Sequence, residues 1–454
     1  MVVLLWLLLN GCIMAYESAD MIIHNGILLT MNDQKQIIPN GAIAINGDTI
    51  VAVGSSADIM EKYHSNTIID AHGSVIMPGL INGHTHAGMT FMRGLADDMI
   101  LNEWLEALWK VEKNIVDEEF VYWSTQVACY EMIKGGITTF ADIYYFVDHA
   151  AQAAVDFKMR AVIAQTVIDA FPIPGCSSVE KNFNYLECFI EKWQHHPLIT
   201  PAVGPHATYT CSEETLKECE KYSAKYSVPL LIHASESIWE NETVLQKYGK
   251  RPIALLDSLG MLNERTVLAH CVKVTDEELN LVADRGASII HNPCSNMKLG
   301  SGTAPITSML SKKIPVGLGT DSAASNNALD LWSEMKNAAL LQKLALEDCS
   351  ALDAYSVLEM ATIKGAQALG KGHEIGSLEA GKKADLILVK QDKVHQTPSY
   401  SIPSQLVYAS RSSDVDTVII NGTLIMADRK VLVLEDKDMF KEKIQYYTQK
   451  IKNN

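Results

Sequence analysis

Apolar positions follow one rhythm at the two ends of the chain and another in its long middle. Residues 21–23, 26–30, 42–45 and 50–53 are short β-type stretches broken by turn residues such as Asn46-Gly47-Asp48. The C-terminal part repeats that texture: residues 384–389, residues 417–420 followed by Asn421-Gly422, and residues 430–434 read as strands and a hairpin. One small β-sandwich built from both chain ends accommodates them. The middle alternates apolar runs at 136–140, 161–164, 199–203, 229–232, 266–269, 287–290 and 315–319 with longer amphipathic segments such as 119–134 and 212–226. With the strand that precedes His84, this makes eight β/α units, and the predicted fold class is α/β, a (β/α)8 TIM-like barrel. The expected layout is sandwich over 14–75, barrel over 76–375, and sandwich again over 376–454 with a C-terminal helix.

Composition narrows the function classes. The chain has 454 residues, 48% of them hydrophobic and 20% charged, which is ordinary globular material. Its 54 acidic against 38 basic residues give a net charge of -16, which repels phosphate backbones and anionic lipid at long range. Nucleic-acid polymers and stable membrane association are therefore not expected, whereas a single nucleoside is compatible; self-association is left open. The 9 cysteines are scattered without a C-x-x-C spacing, so a reducing compartment fits and the expected localisation is cytoplasmic. Residues 2–9 are apolar and precede Cys12, but they lack the basic start of a signal peptide. Residues 1–13 are read as an extension from an upstream start ahead of Met14, lipoprotein-type export through Cys12 being the minor alternative.

Barrel enzymes carry their chemistry where strands end. The first strand runs into His84-Thr85-His86, whose i, i+2 spacing puts two imidazoles on one face, within reach of one metal ion. The fourth strand runs into His206, the fifth into His233 and Glu236, the sixth into His270, the seventh into His291-Asn292, and the eighth into Asp321. Any one of these alone reads as a hydrogen-bonded loop residue; six strands ending this way at one face of one barrel read as a site.

The segment Pro78-Gly79-Leu80-Ile81-Asn82-Gly83-His84-Thr85-His86, His233 with Glu236, His270 and Gly319-Thr320-Asp321 resemble the amidohydrolase superfamily, in particular its aminohydrolases of purines and related heterocycles. The resemblance implies that His84, His86, His233 and Asp321 bind one divalent metal while Glu236 and His270 work beside it. No lysine lies between Ile199 and Tyr209 to bridge a second ion, so a mononuclear centre follows. Three neutral imidazoles and a carboxylate suit Zn²⁺, with Fe²⁺ the alternative, and leave a position for a water whose pKa falls toward ~7. Deaminating an aromatic ring also needs a proton donor at the ring nitrogen, a role assigned to Glu236, with Asp321 and His270 activating the water. His233 and Glu236 differ by three positions, the wrong parity for one strand face, so the chain must bend between them.

A finer resemblance, carried by residues 92–98, Glu103-Trp104-Leu105, residues 295–300 and residues 321–327, is to the 5'-methylthioadenosine/S-adenosylhomocysteine deaminases. It implies that Trp104 packs against the nucleoside, Glu112 takes the ribose hydroxyls, and His206 and Ser325 contact the purine; Asn296 and Lys298 are read as structural loop residues. The Trp104 to Glu112 spacing is one residue shorter than the family pattern. Arginines that hold the S-adenosylhomocysteine carboxylate after the third strand are replaced here by Ala164-Gln165-Thr166, and no arginine occurs between Arg160 and Arg251. The expected activity is therefore hydrolytic deamination of 5'-methylthioadenosine or adenosine in preference to S-adenosylhomocysteine. Rival readings are an aminohydrolase or chlorohydrolase of guanine, cytosine, a pterin or a triazine, and, remotely, a non-catalytic scaffold.

Overall fold

Eight parallel strands stand in chain order around one barrel: Leu80–Thr85, Ile137–Tyr144, Arg160–Val167, Ile199–Pro205, Leu230–Ala234, Thr266–His270, Ser288–His291 and Val316–Leu318. The computed structural model describes residues 17–434 and 436–453, so the extension expected over 1–13, with Cys12, lies outside the described residues. Each strand falls on an apolar run of the sequence, and the runs are continuous because both faces are buried. Along the third strand Val162 and Ala164 join the barrel interior, while Ala161 and Ile163 pack in the larger core with the surrounding helices. The amphipathic segments form helices Glu118–Lys134 and Glu213–Tyr226, started by the side chains of Asp117 and Ser212, which accept from the backbone N–H groups of Phe120 and Thr215. Among the described residues no helix is long and apolar enough to cross a membrane.

The chain ends meet in one nine-stranded sheet. Leu386–Val389 pairs with Val75–Pro78, which in turn pairs with Met21–Leu29, so the C-terminal strands continue the N-terminal ones. Two details differ from the sequence expectation. The hairpin turn at Asn421-Gly422, with φ of 50° and 72°, joins Val415–Ile420 to Thr423–Ala427, not to residues 430–434. A two-residue turn of this kind pairs the residues immediately beside it, here Ile420 with Thr423. The apolar run 75–81, continuous in sequence, is divided at Gly79: Val75–Pro78 belongs to the chain-end sheet, and Leu80 opens the barrel. Gly79 passes so close to the second strand that a Cβ there would lie 2.1 Å from Thr138 Oγ1.

A buried ion pair fastens the two parts. Arg160, at the start of the third barrel strand, donates through Nε to Asp385 Oδ2 at 2.7 Å and through Nη2 to Asp385 Oδ1 at 3.2 Å. Asp385 Oδ1 also accepts the Asn421 N–H at 2.6 Å. Both side chains are almost fully buried, so removing the acid strands a guanidinium away from water. Asp385→Ala is expected to destabilise the protein by about 3–5 kcal/mol, read as a lowered urea midpoint; an unchanged midpoint contradicts this.

The first and eighth strands are joined differently from the other neighbours. No ladder pairs them among the described residues. Instead Asn82 Nδ2 donates to Thr320 Oγ1 at 2.8 Å, the Thr320 N–H donates to Asn82 Oδ1 at 2.9 Å, and the Asp321 N–H donates to the His84 carbonyl at 2.9 Å. The seam closes on side chains and a loop amide, directly beneath His84 and Asp321.

Candidate active site

Four imidazoles and two carboxylates converge at the C-terminal mouth of the barrel. His84 Nε2 lies 3.4 Å and His86 Nε2 3.3 Å from Asp321 Oδ1, and the Nε2 atoms of His233 and His86 are 3.2 Å apart. His270 Nε2 stands 3.8 Å from Glu236 Oε2 and 4.0 Å from Asp321 Oδ2. Two triads share His84, one with His233 and His270 and one with His86 and Asp321, and the ligand atoms within each lie no more than 4.8 Å from one another.

Strand geometry alone does not bring these groups together. Leu231 faces the barrel interior, so His233, two residues on, shares its side of the fifth strand. Glu236 has the opposite parity, and Ser235, with φ of 51°, supplies the bend. His270 and Asp321 themselves have φ of 75° and 60°. Left-handed backbone at three non-glycine positions is strain concentrated at strand ends, where it aims side chains that a regular pleat would send elsewhere. Gly319, just before Asp321, is required by crowding: a Cβ there would lie 2.4 Å from Asn292 Oδ1 and 2.9 Å from His84 Cβ.

The hydrogen bonds around the imidazoles fix their tautomers. His86 Nδ1 faces the Ile143 carbonyl at 2.6 Å and His233 Nδ1 faces the His206 carbonyl at 2.7 Å. A carbonyl only accepts, so each Nδ1 carries a proton; His86, against the burial that opposes its charge, is held above its usual pKa by the Asp321 carboxylate beside it. His84 Nε2 is buried with no hydrogen-bond partner. Burial pushes the His84 imidazole down to about 4 and holds His233 well below its usual value, so both are neutral at pH 7. Burial opposes ionisation of Asp321, yet the His84 and His86 imidazoles beside it hold its carboxyl well below the usual range. The neutral imidazoles of His84 and His233, the orphaned His84 nitrogen and the ionised Asp321 carboxylate fit a divalent cation.

Neighbouring residues hold this arrangement. Asp321 Oδ2 accepts the hydroxyls of Ser295 at 2.6 Å and Ser325 at 3.0 Å, and Oδ1 accepts the Ser322 N–H at 2.7 Å. His270 Nδ1 lies 2.8 Å from Asn296 Oδ1, which makes Asn296 a support for the imidazole as well as a loop residue. Lys298 pairs with Asp97 and Asn327, tying loops together away from the imidazoles. Asp142, on the second strand, accepts the Ala87 N–H and the Thr85 hydroxyl and so locks the His84-Thr85-His86 turn. The sequence assigns no role to Asp142 or Ser295, although Asp142 carries the general signal of a carboxylate near a strand's C-terminal end. His291 is fully buried and its ring nitrogens have no hydrogen-bond partner.

A narrow cleft of about 40 Å³ opens beside His86. Helix Leu101–Ile115 presents Trp104, Leu108 and Glu112 to it at four-residue intervals, and His206, Tyr144 and Thr166 close the other sides. Glu112 accepts the Tyr144 hydroxyl at 2.7 Å and the Tyr145 hydroxyl at 3.4 Å, and burial pushes its carboxyl up to about 7. The shortened Trp104 to Glu112 interval thus still leaves both residues on one wall. Ser325 does not line this cleft; its hydroxyl is spent on Asp321.

Comparison with known proteins places the chain as a whole. An amidohydrolase family model matches residues 75–425. The chain is 44% identical over 440 residues to a 5-methylthioadenosine/S-adenosylhomocysteine deaminase of Syntrophobacter fumaroxidans, covering 97% of this chain and 100% of that one. It is 41% identical over 430 residues to a 5'-deoxyadenosine deaminase of Methanosarcina mazei, covering 93% and 96% respectively. The crystal structure of an adenosine deaminase from Xanthomonas campestris with bound zinc superposes with a TM-score of 0.95 at 34% identity, covering 97% of this chain and 100% of that one. By family match, sequence and fold, the chain belongs to the amidohydrolase family.

Proposed function

We propose that this protein is a metal-dependent hydrolase that deaminates an adenine nucleoside, with Zn²⁺ as its metal. The observation that carries the reading is the convergence of His84, His86, His233 and Asp321 with Glu236 and His270 beside a cleft that holds Trp104 and Glu112. Relatives over nearly the full chain are named as adenine-nucleoside deaminases, which supports the same substrate class. The histidines and Asp321 hold the metal, which when bound supplies Lewis acidity that makes a water oxygen nucleophilic near neutral pH.

The chain's own residues do the rest. Asp321, with His270 beside it, takes a proton from the attacking water as its oxygen bonds to the ring carbon bearing the amino group. Glu236 gives its proton to the adjacent ring nitrogen, so the tetrahedral adduct stays neutral. The C–N bond breaks as Asp321 passes the proton it took from water to the amino group, which leaves as ammonia; the adduct hydroxyl gives its remaining proton to Glu236 as the carbonyl forms, and the ring nitrogen keeps the proton first given by Glu236, leaving the inosine analogue. Trp104 packs on the nucleoside, Glu112 accepts from ribose hydroxyls, and His206 faces the purine. Ser325 serves Asp321.

Among the cleft-lining residues there is no lysine or arginine to meet a carboxylate on the 5' side. A missing charged hydrogen bond is worth about 1.5–3 kcal/mol, or about 10–150-fold. 5'-Methylthioadenosine, 5'-deoxyadenosine or adenosine is therefore expected to exceed S-adenosylhomocysteine in kcat/KM by about that factor. Ammonia release from these nucleosides, guanine, cytosine and pterins tests the class and the preference together. Turnover of a free base alone overturns the nucleoside reading; equal turnover of S-adenosylhomocysteine overturns the preference.

A further inference from the structure

Glu240 is fully buried, and among the described residues no lysine or arginine pairs with it. A carboxylate so placed is costly unless its oxygens are satisfied. Oε1 accepts the Ser235 N–H at 3.0 Å, and Oε2 accepts the Glu236 N–H at 2.7 Å. These two amides flank the left-handed bend that turns Glu236 into the site. Glu240 sits in the first turn of helix Ile238–Tyr248, and its own N–H is capped by the Ser237 hydroxyl at 3.1 Å; burial pushes its carboxyl up to about 8, against the two amides it accepts from. Ser237-Ile238-Trp239-Glu240 has the spacing of a capping box, yet the carboxylate reaches past the cap residue to the two preceding amides.

We infer that Glu240 is a positioning residue, whose two-oxygen grip on the Ser235 and Glu236 amides holds the left-handed bend and aims the Glu236 carboxyl at the substrate ring. The inference rests on the reading of Glu236 as the proton donor. Two N–H donors need two acceptor oxygens. Glu240→Gln keeps the volume but turns an NH2 group toward one of the amides, breaking half of the grip. The acid is then held loosely, which is a loss of orientation with no loss of a reacting group.

The test is a double-mutant cycle on the metal-loaded enzyme with its preferred adenine nucleoside. Glu240→Gln is expected to lower kcat by about 10–100-fold, with KM and bound metal unchanged. In a Glu236→Gln background the same substitution is expected to cost nothing further, because the group it aims is already gone. The same fold-loss in both backgrounds, or loss of bound metal, overturns the positioning role. Wild-type kcat in Glu236→Gln alone overturns the donor reading, a result that cannot be mistaken for additivity. If Glu240→Gln does not fold, Ser235→Val opposes the same left-handed conformation from within and goes through the same cycle with the same expected pattern.

Discussion

Asp321→Asn is expected to lower kcat/KM by about 10³–10⁴-fold, the several kcal/mol of charge stabilisation that a catalytic metal supplies. Asparagine is chosen because it tolerates the left-handed backbone at φ of 60° and keeps the side-chain volume, so the barrel seam survives. The charge does not survive. Asp321 faces His84 and His86 through Oδ1 and collects two serine hydroxyls on Oδ2, so the substitution removes the anionic ligand and the base while its neighbours stay in place. Metal analysis of the purified variant is expected to show substoichiometric metal, with thermal unfolding in the presence of chelator close to wild type. Full metal content together with full activity would remove Asp321 from the site.

Glu236→Gln is expected to lower kcat by about 10²–10⁴-fold, the usual worth of a positioned proton donor. Its signature separates it from Asp321→Asn, because metal content stays stoichiometric and KM moves little. Glutamine can still accept from the Ser301 hydroxyl, which lies 3.4 Å from Glu236 Oε1, so the loop has no reason to rearrange. What is lost is a proton that can be given up. An unchanged kcat would reassign the donor, and His270, 3.8 Å away, would be the next group to test.

The barrel was legible because each of its strands is a short apolar run bounded by polar residues, a pattern that burial on both faces imposes locally. The candidate site was legible for a related reason: His84, His206, His233, His270 and Asp321 each stand next to such a run, so the strand reading carried them to one mouth. What local pattern could not encode was contact at long range. Residues 423–427, which the Asn421-Gly422 turn folds onto residues 415–420, were not read as a strand. The support from Asp142 to Ala87, from Ser295 to Asp321 and from Glu240 to Ser235 depends on backbone positions that exist only after folding. Parity signalled a bend between His233 and Glu236, but it did not show that Ser235 makes it or that Glu240 holds it. The hydrogen bond from the Ser325 hydroxyl to Asp321 was likewise invisible in the sequence.

The seam between the first and last barrel strands bears on how this chain reaches its native state. The Asn82–Thr320 clasp joins residues 238 positions apart, and His84 and Asp321 meet directly above it. Contacts of such separation form late, since the closure entropy must be met before they contribute. A cation held by His84 and Asp321 would join the two sides of that seam and so favour the closed ring over the open one. Asp321 follows the eighth strand and His84 lies in the first, so the seam and the candidate metal site are completed by the same two ends of the barrel.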